Sequence, residues 1–180
     1  YEKAHELFSD GLEYRRERMQ YDDIAHSYLH LANLSLVSNN FSQVSMYCDS
    51  AEKIIEKLFD TPIEQFGALE DNKNRYLGSS KQIQAELNFK LGKKKRMNRF
   101  LEQAKIYYKK LPIELTGLLE ISAEMRFDLN DLGIAIDEIN EGLVLADKHG
   151  LSRQKEQLLK TKKKVLSKAG DEEGASKTSE

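Results

Sequence analysis

Apolar and small residues recur along almost the whole chain at intervals of three and four, as in Leu29, Ala32 and Leu36, or Leu115, Leu119 and Ser122. The strict alternation that a half-buried strand requires is hard to find. A period near 3.6 gathers these residues on one face of a helix, so the fold class is all-α. Hydrophobic residues make up 39% of the 180 and charged residues 32%, with two Pro and ten Gly. That is enough apolar material for a core, and few residues that oppose helix.

Breakers divide the pattern. Asn39-Asn40, Asp60-Thr61-Pro62, Gly92, Leu111-Pro112, Asn130-Asp131 and Gly150 carry turn or cap chemistry. Pro62 and Pro112 suit a first helical turn, where the missing N–H costs nothing, and they block continuation of the helix before them. Gly150 suits a left-handed C-terminal position, with Lys148 and His149 placed to favour the negative end of the helix dipole. The spacing predicts about eight helices, near 1–18, 21–38, 41–59, 62–91, 94–110, 112–129, 131–149 and 152–168. In the long fourth, Asn72 and Gly78 are places for a kink or a break. Together they form one helical domain over 1–168. The remainder, 169–180, has no large apolar residue to offset its ordering entropy and is expected to be a disordered tail.

The most informative segment is Tyr28-x2-Leu31-Ala32-x2-Ser35-x8-Val44-x3-Cys48-x2-Ala51. Its spacing resembles the tetratricopeptide pattern W-x2-L-G-x2-Y followed by A-x3-F, with residue types matching in part. Small residues at Ala32, Val44 and Ala51 would let antiparallel helices approach closely. Weaker copies follow: Ala85, then Leu91-Gly92, then Met97-x3-Leu101-x2-Ala104; and Leu119-x2-Ser122-Ala123, then Ala135-x3-Ile139-x2-Gly142. The opening Ala4-x3-Phe8-x2-Gly11 looks like the second helix of a repeat whose first helix precedes Tyr1, so the chain is expected to be a piece of something longer. Ala4, Val44, Met97 and Ala135 lie 40, 53 and 38 residues apart, against about 34 in the family. Such long, irregular repeats resemble those of bacterial signalling regulators. The resemblance implies an α-solenoid with repeats near 1–18 (partial), 21–59, 62–110 and 112–149, and 152–168 as a terminal helix covering the last repeat.

Chemistry is sparse. Formal charge is −2, without the global basic excess that phosphate neutralisation demands, so nucleic acid is not expected as a partner. Cys48 is the single cysteine and is expected to be a small buried hydrophobe. His26 and His30 stand four apart, a spacing zinc sites use, but no third ligand of matching type lies nearby. No phosphate loop, nucleophile elbow or Cys/His pairing is found, and no catalytic, metal or cofactor site is assigned. No apolar run reaches the length of a membrane helix and no signal segment opens the chain, so a cytoplasmic location away from membrane is expected.

Charge falls in bands. Residues 90–110 carry nine Lys or Arg against one Glu; 111–147 carry one Arg against nine acids; 148–168 carry eight basic groups against one Glu. The Lys93-Lys94-Lys95-Arg96 cluster admits an anion patch, yet mutual neutralisation of neighbouring bands is the expectation.

The family's groove-facing places fall on His26, Leu29, Asn33, Gln82, Glu86, Glu120 and Glu124. The resemblance thus implies a non-catalytic module whose groove binds a protein, a peptide or a second copy of itself. Amides at Asn33 and Gln82 would suit an extended backbone, and the acids a basic ligand. Chaperone C-termini are disfavoured, because the places that would hold a carboxylate include Leu29, Ile83 and Ile121. The implied setting is the sensor or scaffold region of a larger bacterial regulatory protein. The alternatives are a stand-alone assembly adaptor of co-chaperone type and, behind it, a phosphatase-type regulator of response regulators.

Overall fold

A computed structural model describes residues 2–17, 21–59 and 67–170, with side chains over 3–15, 23–57 and 70–170. Among these residues the chain is all-α. It forms α1 (Glu2–Glu17), α2 (Tyr21–Val37), α3 (Phe41–Phe59), α4 (Gly67–Lys90), α5 (Lys94–Tyr108), α6 (Pro112–Asp128), α7 (Leu132–His149) and α8 (Ser152–Ala169). Each matches a predicted segment to within two or three residues wherever its ends are described. Asn72 and Gly78 do not interrupt α4. The expected turn at Asp60-Thr61-Pro62 and the expected tail beyond Gly170 lie outside the described residues.

Four of the turns close in the same way. Asn39, Gly92, Asn130 and Gly150 take φ of 60°, 67°, 60° and 66°, the left-handed conformation that glycine and asparagine tolerate best. In each, the amide of the next residue reaches back five positions: Asn40 to Ser35, Lys93 to Asn88, Asp131 to Arg126 and Leu151 to Ala146, at 2.8, 2.8, 2.8 and 2.9 Å. This double closure of orphan carbonyls ends one helix and reverses the chain within three residues. Antiparallel neighbours follow.

The chain divides into two compact units, Tyr1–Tyr107 and Tyr108–Glu180. In the first, side-chain contacts run antiparallel between consecutive helices. Phe8 stacks on His30 and Arg15 bonds Ser27 across α1 and α2. Ser35 meets Gln43, and Tyr28 meets Tyr47, across α2 and α3. Contacts between alternate helices run parallel, with His5 on Tyr47 and His26 beside Tyr76. The second unit repeats the scheme: α6 packs on α7, α7 on α8, and α6 on α8. The architecture is therefore helical-repeat-like within each unit.

The small and large residues of the repeat pattern lie at the helix crossings. Ala32, Val44, Cys48, Ala51, Ala85, Met97, Leu101, Ala104, Leu119, Ser122, Ala123, Ala135 and Ile139 are all fully buried. Burying a side chain of Leu or Ile size contributes roughly 1.5–3 kcal/mol, which applies to Leu101, Leu119 and Ile139, while the small residues leave room for the larger ones around them. Cys48 is among them. Burial pushes its thiol up to about 12, and its Sγ lies 3.8 Å from the Ser80 carbonyl, so it behaves as a packed, unreactive side chain.

Polar bonds fix helix register where packing alone would allow slippage. Glu52 on α3 accepts from Ser80 Oγ at 2.5 Å, Gln84 Nε2 at 2.9 Å and Lys81 Nζ at 2.8 and 2.7 Å, all on α4. In the second unit, Arg126 of α6 lies 3.9 Å from Glu138 of α7 and 3.9 Å from Asp131. Arg126 and Glu138 are both buried. Along α7 and α8, Asp147 pairs with Lys155 at 2.5 Å and Asn140 accepts from Lys162 at 2.9 Å. Here the acidic and basic bands do lie side by side.

Candidate functional site

The residues assigned to a groove separate into those on the surface and those that are not. On α2, His26 and Asn33 are exposed one turn either side of His30, which is exposed as well. Leu29 is not available: it is 4% exposed and belongs to the core shared by α1 to α4. Ile83, another place taken as facing a ligand, is likewise buried. Residues at i and i+3 on a helix diverge by about 60°, and at the edge of a face that rotation carries one of them inward.

The exposed α2 face is flanked by rings. Phe8 of α1 stacks on His30 with centroids 5.1 Å apart and planes at 17°. His26 meets His30 edge-on at 4.2 Å, and Tyr76 of α4 lies 6.0 Å from His26. Four rings from three helices thus form one row. The His30 imidazole is held below its ordinary value, first by burial of its ring against neighbours and then by the charges of His26 and Arg15. A neutral imidazole offers one donor and one acceptor, together with a flat apolar face. Phe8 and Tyr76 are partly buried rings packed against the core, and their row with His30 and His26 depends on contacts between helices. The expected groove places already put His26 and Asn33 on this face, but nothing in the sequence linked them to Phe8 and Tyr76. Among the described residues no group of three His, Cys, Asp or Glu is placed to hold a metal ion.

On α4, Gln82 Nε2 donates to Glu86 Oε1 at 3.1 Å. Both are half-buried, and burial raises the Glu86 carboxyl above its ordinary value against the opposing pull of Gln82 and Lys90. In the second unit, Glu120 is half-buried and Glu124 exposed on α6. Burial and the Glu124 charge raise the Glu120 carboxyl, and Lys164 of α8 opposes them. Glu124, Phe127, Asp128, Thr161 and Lys164 border a cavity of about 250 Å³ between α6 and α8. Lys164 beside this acidic edge means that part of the negative charge expected to attract a ligand is met from within the unit.

Two more cavities belong to the first unit. One of about 420 Å³ is lined by His5, Glu6, Leu34, Ser35, Ser38, Asn40 and Gln43, where α1 passes the turn between α2 and α3. The other, about 290 Å³, sits at the junction of α4 and α5. Its walls include Lys93, Arg96 and Arg99 on one side and the buried amides of Gln84 and Asn88 on the other. Phe100 borders it as well, with the Arg99 guanidinium 5.3 Å from the ring centroid.

No helix of the described residues is long and apolar enough to cross a membrane. No family model, no curated protein and no solved structure matches the chain.

Proposed function

We propose that this chain is a non-catalytic binding module of tetratricopeptide-like helical hairpins, which takes an extended peptide or protein segment on the exposed face of α2. The observation that carries this reading is the row Phe8, His30, His26 and Tyr76, with Asn33 exposed on the same helix one turn beyond His30. Rings contribute large contact area at low entropic cost, and Asn33 can both donate to and accept from a peptide backbone. Gln82 and Glu86 on α4 extend the same surface chemistry in the first unit. Glu120 and Glu124 offer acidic contacts on the second. The resemblance to the repeats of bacterial signalling regulators supports a role as the sensor or scaffold region of a larger regulatory protein.

The test is selection of a displayed random-peptide library on the purified chain, followed by titration of enriched peptides against His26→Ala, His30→Ala and Asn33→Ala. Enriched peptides should bind the wild type and lose at least tenfold in affinity to two of the three variants. Enrichment no better than on an unrelated helical protein, or binding indifferent to all three changes, refutes the assignment.

A further inference from the structure

Opposite charges meet along α7 and α8, but one basic cluster has no such relief. Lys93, Lys95, Arg96 and Arg99 are exposed and form no ion pair with any described residue. The Arg99 guanidinium lies 5.3 Å from the Phe100 ring centroid. Four like charges within seven residues repel one another, a cost that a folded chain normally offsets with carboxylates. Two buried amides line the same cavity: Gln84, engaged with Glu52 and Ser80, and Asn88, which donates to the Gln84 carbonyl at 2.7 Å. This is the cavity of about 290 Å³ into which Lys93, Arg96 and Arg99 face.

The placement follows from the turn. Gly92 at φ 67° ends α4, and the Lys93 amide bonds back to Asn88. Lys93 therefore stands immediately before α5, and Arg96 and Arg99 follow it at successive i+3 positions on one helix face. The Lys93 carbonyl accepts from the Arg96 and Met97 amides at 2.9 and 3.0 Å. The first turn of α5 thus adds its positive dipole end to the cationic side chains. Leu91, 40% exposed, and Phe100 give the cavity an apolar rim.

We propose that this cavity binds a phosphomonoester dianion carried on a peptide partner, as on a phosphorylated serine. The proposal rests on the peptide-binding reading above and names a second contact point for the same class of ligand. A dianion with three terminal oxygens matches guanidinium forks at Arg96 and Arg99 together with the point charge of Lys93. A single carboxylate would leave most of the cluster's charge unbalanced. Nucleic acid fits less well: its phosphates need cations spread along a track, whereas these lie within seven residues around one cavity, in a chain of net charge −2.

The experiment uses the 180-residue chain and its Arg96→Gln/Arg99→Gln double variant, with Lys148→Gln as a control for general charge loss. Helicity and melting temperature are checked for each; the altered side chains are exposed, so the fold should be retained. Three immobilised peptide libraries are offered, alike except for one fixed position holding phosphoserine, serine or glutamate. Inorganic phosphate is added separately while backbone amide shifts are followed, and a single-stranded DNA oligonucleotide serves as the fourth probe. Phosphoserine peptides should be retained at least tenfold over serine peptides, and the double variant should lose that margin while Lys148→Gln keeps it. Phosphate should shift the amides of Lys93–Arg99.

Equal retention of serine and phosphoserine libraries overturns the inference and leaves the peptide-binding module standing. Equal retention of glutamate and phosphoserine peptides overturns the preference for a dianion. Amide shifts with phosphate but no retention of any library remove the peptide as the source of the phosphate, and with it the reading of the module. Tighter, Arg96- and Arg99-dependent binding of the oligonucleotide replaces the peptide with nucleic acid.

Discussion

A β-carbon placed on Gly142 of α7 would lie 2.9 Å from Cδ1 and 3.2 Å from Cδ2 of Leu158 on α8, and 3.6 Å from the Leu119 Cβ on α6. Three helices converge on this one position. It is also the place where the repeat pattern Ala135-x3-Ile139-x2-Gly142 calls for a small residue. The close approach explains the residue type better than helix propensity does, since glycine inside a helix costs up to about 1 kcal/mol relative to alanine.

Gly142→Ala should therefore lower stability even though alanine is the better helix former. Leu158 is fully buried, so its methyl groups have little room to retreat, and overpacking of this kind costs ~1–3 kcal/mol. Gly117 on α6 is the contrasting case, because a β-carbon there meets nothing within 4 Å. Gly117→Ala should raise stability by about 0.5–1 kcal/mol. Urea denaturation of the two variants beside the wild type decides it. Two shifts of the same sign would refute the packing argument.

Arg126 and Glu138 form the buried charged pair of the second unit, each with a side chain only 7% exposed, at 3.9 Å. At that separation, with both charges out of water, the desolvation cost weighs heavily against the attraction within the pair. Removing one member strands the other. Arg126→Leu or Glu138→Leu should each cost about 3–5 kcal/mol, whereas the double substitution should recover most of that loss. A double-mutant cycle followed by thermal melting reads the coupling directly. A double variant as damaged as the two singles together would show the pair to be unimportant.

Much of the helix layout was legible because its punctuation is local chemistry. Asn39, Gly92, Asn130 and Gly150 are the residue types that accept a positive φ, and each ends a helix by the same backbone closure. The binding face was less legible. Leu29 and Ile83 share the spacing of surface neighbours yet point into the core, because the edge of a helical face depends on where the adjoining helix lies. Phe8 and Tyr76 join the histidine row only through contacts across α1, α2 and α4, which no spacing within one helix encodes. Charge counting led to an expected neutralisation of neighbouring bands, which some of the groups fulfil and others do not. Asp147 and Lys155 do neutralise each other, while Lys93, Arg96 and Arg99 have no described acid beside them.

The Glu52 network should be worth more than an exposed ion pair. The Glu52 and Lys81 side chains are 18% and 15% exposed, and one carboxylate accepts from three α4 side chains. Hydrogen bonds to a charged group contribute about 1.5–3 kcal/mol each before shared losses. Glu52→Ala should cost roughly 2–4 kcal/mol, and Glu52→Gln distinctly less, because the amide keeps an acceptor for Ser80 or Gln84. Amide hydrogen exchange should then report weakened protection at Ser80 and Gln84 in the alanine variant. Unchanged exchange would refute the idea that Glu52 holds α3 and α4 in register.

Histidine 30 gives the first unit a dependence on mild acid. Its folded form titrates below the ordinary 6.5, owing first to burial and then to the charges of His26 and Arg15. Below 6.5 the unfolded chain therefore takes up a proton that the folded chain refuses. Stability is full above that value and declines as pH falls toward the folded pKa. Glu86 and Glu120 act in the other direction. Their folded carboxyls titrate above the ordinary 4.5, so their charged forms weaken the fold most at higher pH, and the burden lifts as pH falls through the folded values toward 4.5. His30→Gln should flatten the loss of stability just below pH 6.5 while keeping the carboxylate trend at lower pH. Denaturation midpoints at pH 7.5, 6.0 and 5.0 for wild type and variant test this. A wild-type midpoint that rises on going from 7.5 to 6.0, with the variant unchanged, would reverse the sign assigned to the imidazole and remove the case that Phe8 and His26 hold it neutral.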